Sequence, residues 1–138
     1  MNQNAAKHYW EQQILNASPA ERVVLLYDGA IRFLLSAKQS IEANDIQSRF
    51  NNNKRAGDII MYLFETLDME KGGEIAVNLS RIYQYMLNRL IQVDLKNDTE
   101  VIDEVVGQLR TLREPWAKIA SGGASSQQGQ GAVRSATA

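Results

Sequence analysis

The chain has only two prolines in 138 residues, Pro19 and Pro115, and the apolar residues between them follow a helical spacing. Proline removes a backbone donor and clashes with the preceding helical turn, so a long stretch without it is free to form long helices. Apolar residues that recur every three or four positions form one stripe on a helix, and such a stripe faces a core. The sequence therefore predicts an all-α fold.

The first predicted helix has a clear beginning. Ser18 is a helix N-cap, Pro19 suits the first helical position, and Glu21 completes a capping box. The helix is predicted to run to about residue 43. Its core-facing stripe consists of Val23, Tyr27, Ala30, Leu34, Ala37 and Ile41.

The second predicted helix begins near Asn44 and Asp45, which both favour N-caps. Its middle, residues 51–53 and Gly57, consists of poor helix formers. The glycine pair at residues 72–73 is predicted to lie in the connection to the next helix. The predicted buried side of the second helix consists of Ile46, Phe50, Ile60, Leu63, Phe64 and Leu67.

The third helix is predicted from about residue 74 to about 95, and the fourth follows a turn at residues 96–98. Pro115 falls inside the fourth helix and predicts a bend or a new short turn there. The third helix directs Ile75, Leu79, Ile82, Met86, Leu90 and Val93 to one side, with Ala76, Tyr83 and Leu87 beside them. The fourth carries Val101, Ile102, Val105, Val106, Leu109, Leu112, Trp116 and Ile119.

Four long helices joined by short turns predict an antiparallel up-down four-helix bundle over residues 18–121. Residues 1–17 form a polar N-terminal arm before the bundle. The large apolar side chains of this arm are Tyr9, Trp10, Ile14 and Leu15. Residues 122–138 are low in complexity and have little apolar area to bury, so they are predicted to be a disordered tail.

Composition excludes several classes of protein. There are no cysteines, and a formal net charge of -1 gives no basic surface for nucleic acid. The polar N-terminus and the absence of any run of about 20 apolar residues predict neither a signal peptide nor a membrane span, so the expected compartment is the cytoplasm. His8 is the single histidine, and no Glu-x-x-His pair or phosphate-binding loop is present. We therefore expect no cofactor and no enzyme activity.

The unusual feature is a surplus of apolar positions. The first helix has more than the roughly three in seven that a bundle helix needs, and the third adds Tyr83 and Tyr85 to its stripe. One interpretation is a large core with ordinary surface tyrosines. The other is a groove for the amphipathic helix of a partner. The pattern alone leaves both open.

A series of short strings resembles the FliS family of flagellin export chaperones. The series begins with Tyr9 and Ile14 at the family's spacing before the serine-proline pair. It continues with Ser18-Pro19, Leu26-Tyr27-Asp28-Gly29-Ala30-Ile31-Arg32-Phe33-Leu34, Leu67-Asp68, Gly72-Gly73-Glu74-Ile75-Ala76, Asn78-Leu79, Tyr83, Tyr85-Met86, Arg89-Leu90, Lys96-Asn97-Asp98 and Trp116. The resemblance spans about residues 9–120. Its specificity lies in the order and spacing of the strings together.

The resemblance implies a bundle that binds the disordered C-terminal segment of flagellin in the cytosol, prevents premature polymerisation and presents flagellin to the export-gate protein FlhA. It also implies that the N-terminal arm can lie over part of the flagellin groove. The candidate partner-binding residues are Tyr9, Ile14, Asn78, Tyr83, Tyr85 and Met86. For Asn78, a hydrogen bond within the bundle is an equal alternative. The alternative function is a helical-bundle adaptor for another amphipathic-helix partner.

Overall fold

The structure is a computed structural model that describes residues 3–122, and these residues form five α-helices and no strand. The helices are α1 (Gln3–Asn16), α2 (Pro19–Glu42), α3 (Ile46–Glu65), α4 (Met69–Lys96) and α5 (Thr99–Ser121). The predicted all-α class is confirmed. The structure has one helix more than the four predicted for residues 18–121, because the N-terminal arm is itself helical. Residues 123–138 of the predicted tail lie outside the described residues.

Helix α1 forms because its two core-directed side chains have helical spacing. Trp10 and Ile14 are four residues apart, so they lie one above the other on one face, and both pack against the core. The backbone of α1 lies beside α2 alone among the described helices. The segment is therefore a helix attached to the outside of the fold.

Helix α2 begins as its capping signal predicts. The Ser18 hydroxyl accepts a hydrogen bond from the Glu21 backbone N–H at 3.2 Å, and the Glu21 carboxylate accepts one from the Ser18 N–H at 2.9 Å. The predicted stripe from Val23 to Ala37 is buried. Helix α2 is consequently the central element, packing against α3 on one side and α5 on the other.

Helix α4 completes the enclosure by packing against α3 and α5, so α2, α3, α4 and α5 surround one core. The hydroxyls of Tyr27 in α2 and Tyr83 in α4 form a hydrogen bond of 2.6 Å inside this core. Both tyrosine side chains are almost completely buried. Burial raises the pKa of both phenols, that of Tyr83 to about 12.

Helix α3 corrects one prediction about its buried side. Ile46 and Phe50 are exposed, whereas Arg49 and Asn53, each three residues further on, are buried. Arg49 donates to the Asn97 side chain at 2.7 Å, and Asn53 donates to the Leu90 carbonyl at 2.9 Å. These bonds pair Arg49 Nη1 and Asn53 Nδ2 on the core side, and Arg49 also forms an ion pair with Asp94 at 3.4 Å. Polar residues therefore take the core-side positions predicted for the apolar pair. The asparagine-rich middle does not interrupt the helix.

Helix α4 begins at Met69, five residues before the predicted start, because Asp68 caps the backbone N–H groups of Glu70 and Lys71. One turn later Gly73 interrupts the helix with φ 53° and ψ -131°. Such a positive φ favours glycine, which has no Cβ. Ile75 follows this break and is exposed, contrary to the prediction that it faces the core.

Helix α5 continues as one helix through Pro115 to Ser121, so the alternative of a new short turn at the proline is wrong. Trp116 is buried and Leu112 and Ile119 pack against the core, which holds the segment in place on both sides of the proline. All eight apolar residues predicted for this helix are buried or half-buried. Across residues 3–122, no helix has the length and apolar character needed to cross a membrane.

Candidate functional site

Helix α1 approaches the backbone of α2 closely at Gly29. A Cβ built on Gly29 would lie 3.1 Å from Cζ2 of Trp10 and 3.1 Å from Cδ1 of Ile59 in α3. Contacts this short leave no room for a side chain without a shift of the neighbours. Glycine in mid-helix costs about 1 kcal/mol relative to alanine, and here it permits the Trp10 ring to lie directly on α2.

The surface beneath Trp10 continues for one more turn of α2 and of α3. One turn beyond Gly29 along α2 lies Phe33, and one turn before Ile59 along α3 lies Arg55. The Arg55 guanidinium lies 5.7 Å from the centroid of the Phe33 ring, so the two helices meet there. We call the surface formed by Gly29, Phe33, Arg55 and Ile59 the α2–α3 groove.

Helix α1 covers this groove with few side chains. Trp10 and Ile14 pack inward, whereas Tyr9 and Leu15 are 66% and 70% exposed. A helix held mainly by two apolar residues opens more easily than the core beneath it. The geometry is therefore that of a lid formed by the chain's own first helix.

An open cleft lies where α1 turns into α2. Its volume is about 350 Å³, and it is lined by Gln13, Asn16, Ala17, Glu21, Val24, Leu25 and Ala120. The capping box at Ser18 fixes the start of α2 beside this cleft. The pKa of Glu21 is lowered, because the Ser18 backbone N–H and hydroxyl stabilise its carboxylate.

The candidate residues of α4 fall into two groups. Asn78 and Tyr85 are exposed and lie seven residues apart on one face of the helix. Tyr83 and Met86 are buried in the core. In this conformation a partner can touch the first pair directly, whereas the second pair supports the fold.

Tyr85 belongs to a polar network between α4 and α5. Its hydroxyl donates to Glu104, and the Arg89 guanidinium donates to the same carboxylate at 2.9 Å. The hydrogen bonds from Tyr85 and Arg89 lower the pKa of Glu104, and the same bond raises that of Tyr85. The network fixes the orientation of Tyr85 on the surface.

The candidates thus lie on different sides of the molecule. Tyr9 and Ile14 belong to α1, which packs on α2, whereas Asn78 and Tyr85 lie on the side of α4 that faces α5. Trp10, Phe33 and Ile59 were not among the site residues predicted from the sequence. The signal for Trp10 was present in its four-residue spacing from Ile14. No sequence pattern near Gly29 indicates that Ile59 of α3 packs against it.

No group of three or more histidine, cysteine or acidic side chains suited to a metal ion occurs within residues 3–122. The pair of core tyrosines, Tyr27 and Tyr83, is shielded from solvent. The α2–α3 groove thus offers apolar contact and, at one end, the positive charge of Arg55.

These features define an all-helical protein with an apolar groove that its own N-terminal helix covers. A family model described as "Flagellar protein FliS" matches residues 1–123. The flagellar secretion chaperone FliS of Salmonella typhimurium is 41% identical over 110 residues, which cover 79% of this chain and 82% of that protein. The chain belongs to the FliS family of flagellar secretion chaperones.

Two further relatives support the assignment. The flagellar secretion chaperone FliS of Bacillus subtilis is 30% identical over 131 residues, covering 95% of this chain and 97% of the relative. The protein of the same name from Vibrio cholerae is 35% identical over 109 residues, covering 79% and 80%. The family is one of chaperones rather than enzymes.

Proposed function

We propose that the chain is a cytosolic chaperone that binds the disordered C-terminal segment of flagellin, prevents its premature polymerisation and presents it to FlhA. The observation that supports this most directly is the α2–α3 groove under α1. It is an apolar surface between two helices, and the side chain that fills it, Trp10, belongs to a weakly attached helix. Such grooves accept the apolar face of an amphipathic helix.

We propose that flagellin takes the place of α1. A partner helix gains contact with Gly29, Ile59 and Phe33 only when Trp10 and Ile14 have left. Self-occupancy lowers the apparent affinity in proportion to the fraction of molecules in which the groove is open. It also shields apolar surface in the free chaperone, which limits aggregation.

A disordered client loses conformational entropy when it orders on the chaperone, so a short contact does not suffice. We propose that the exposed pair Asn78 and Tyr85 provides a second contact on the α4–α5 side. Tyr85 is held by Glu104 and thus presents a fixed aromatic edge. Tyr83 and Met86 contribute by supporting α4 from inside the core.

The test of this function is calorimetric titration of a peptide spanning the C-terminal segment of flagellin from the same organism. A scrambled peptide controls for composition, and an unrelated amphipathic helical peptide tests the adaptor alternative. We expect saturable binding of the flagellin peptide alone. Binding of the unrelated peptide with equal affinity would favour the adaptor, and no binding of the flagellin peptide would overturn the proposal.

The export-gate step is tested separately by size-exclusion chromatography with the purified cytoplasmic domain of FlhA. We expect co-elution with the chaperone–flagellin complex and less with either component alone. If FlhA co-elutes with flagellin alone as well as with the complex, the chaperone does not present flagellin to FlhA.

A further inference from the structure

Two arginines lie over the same aromatic ring at one end of the α2–α3 groove. The guanidinium carbon of Arg32 is 5.5 Å from the centroid of Phe33, and that of Arg55 is 5.7 Å from it. Both distances are those of cation–π contacts. Arg32 and Arg55 are exposed, whereas Phe33 is half-buried between α2 and α3. Two positive charges are thus held next to the apolar surface on which Trp10 lies.

Within residues 3–122 neither arginine has a carboxylate within ion-pair distance. The nearest acidic residues along each helix are committed elsewhere. Asp28, four residues before Arg32, binds Arg113 at 2.6 Å, and Asp58, three residues after Arg55, binds Lys54 at 3.0 Å. The fold therefore leaves the two charges of the groove unpaired while it pairs their neighbours.

Helix α1 does not complement this charge. Within the described part of the chain, its acidic residue, Glu11, forms no ion pair with either of these two arginines, and Lys7 is a further positive charge. The lid therefore matches the groove in apolar character through Trp10 and Ile14, but not in charge. A competing helix whose carboxylates reach the two guanidinium groups gains an electrostatic contact that α1 lacks.

We propose that Arg32 and Arg55 form the specificity edge of the groove and bind carboxylate side chains of an acidic amphipathic helix in the flagellin C-terminal segment. The proposal rests on the proposed function and deepens it. The apolar face of the client replaces Trp10, and its acidic residues pair with the two guanidinium groups. Charge pairing at this edge favours the client over α1 and sets its register on the groove.

The experiment compares Arg32→Gln/Arg55→Gln with wild type by titration of the flagellin peptide at about 0.05 M and about 0.5 M salt. Each exposed ion pair contributes only about threefold to affinity, so the loss of two pairs should lower the affinity of the double variant about tenfold at low salt. We also expect a smaller salt dependence than in wild type. Arg32→Lys/Arg55→Lys keeps both charges and should retain most of the salt dependence.

The matched control is Lys71→Gln/Arg110→Gln, which removes two exposed positive charges of α4 and α5, outside both proposed contacts, and the same total charge. It should leave affinity within about twofold of wild type, since distant exposed charges are screened. Thermal midpoints of all variants establish that each is folded. A wild-type peptide with every Asp and Glu replaced by Asn and Gln should bind wild type and Arg32→Gln/Arg55→Gln equally.

The outcomes separate the two proposals. If wild type binds the flagellin peptide but the groove variant and the control variant bind alike, the specificity edge is wrong and the proposed function stands. If the neutralised peptide still binds wild type more tightly than Arg32→Gln/Arg55→Gln, the proposed pairing with client carboxylates is also wrong. If wild type does not bind the peptide at all, both proposals fail.

Discussion

The indole of Trp10 lies on the backbone of Gly29, so close that a Cβ at residue 29 would be 3.1 Å from the ring. This contact joins an outer helix to the central helix without an intervening side chain. It makes residue 10 one of the two apolar contacts of α1 with the core and residue 29 part of the groove floor. The consequence is a lid whose attachment depends largely on this ring and on Ile14.

Trp10→Ala should therefore release α1 while leaving the remaining core intact. Loss of a half-buried indole corresponds to about 1.4 kcal/mol, or about a tenfold increase in opening of α1. Hydrogen exchange of backbone amides in α1 measures this opening, and amides of α2 report on the core. Leu15→Ala, which truncates a 70% exposed side chain of the same helix, is the control and should change neither. Equal exchange in wild type and Trp10→Ala would show that Trp10 does not hold α1.

The buried tyrosine pair predicts a loss of stability at high pH. The folded-state pKa of Tyr83 is raised to about 12 by burial, and that of Tyr27 is raised by burial and by the neighbouring Tyr83. An unfolded chain releases these protons near its ordinary tyrosine pKa of about 10, whereas the folded chain retains them. Stability is thus fully present below about pH 10 and falls as pH rises toward 12, by up to about 1.4 kcal/mol per pH unit for each tyrosine.

Urea unfolding of wild type and of Tyr27→Phe/Tyr83→Phe between about pH 9 and 11.5 checks this. The double variant should have a shallower decline of the free energy of unfolding with pH. Tyr62→Phe removes an exposed hydroxyl and serves as the matched control. The same decline in the double variant and in wild type would contradict the assignment to this pair.

Asn53 predicts a position-specific cost in an asparagine-rich segment. Its amide donates to the Leu90 carbonyl at 2.9 Å and is buried between α3 and α4. Asn53→Ala should lower the free energy of unfolding by about 1 kcal/mol. Asn51→Ala, at an exposed site two residues earlier, should be neutral or slightly stabilising because alanine is the better helix former. Chemical unfolding that ranks the two variants in the opposite order would refute the role of this bond.

The signals that predicted the fold correctly are local. Ser18 and Glu21 cap α2 within one turn, and Asp45 and Asp98 cap α3 and α5 in the same way. Such signals depend on residues close in sequence. The periodicity of α5 is also local, and it identified the buried side of that helix correctly. The start of α4 was predicted about five residues too late, because the cap at Asp68 outweighs the glycine pair that follows it.

The errors concern contacts between distant segments. Ile46 and Phe50 have the spacing of a buried stripe, but Arg49 and Asn53 take the core side because Asn97 and the Leu90 carbonyl accept their hydrogen bonds. Those acceptors lie in α4 and in the turn after it, so the sequence pattern of α3 alone cannot predict them. The predicted arm became a helix for a related reason, since Trp10 requires the surface of Gly29 and Ile59.

The candidate site was predictable in part. The large apolar residues of the arm indicated that it needs a surface to cover, and the structure provides the α2–α3 groove under Trp10 and Ile14. Which arm residues turn inward was not predictable, because the helical phase of α1 depends on where it meets α2. Tyr9 points outward for this reason, and Trp10 rather than Tyr9 packs against the core.

The most direct measurement of the central claim is calorimetric titration of the flagellin C-terminal peptide into Trp10→Ala/Ile14→Ala. Its matched control is Tyr9→Ala/Leu15→Ala, which shortens two exposed side chains of α1. If α1 occupies the client site in about nine-tenths of molecules, the first variant should bind about tenfold more tightly than wild type, and the control should match wild type. Weaker binding by Trp10→Ala/Ile14→Ala, with the core still folded, would show that α1 supports the client rather than competing with it.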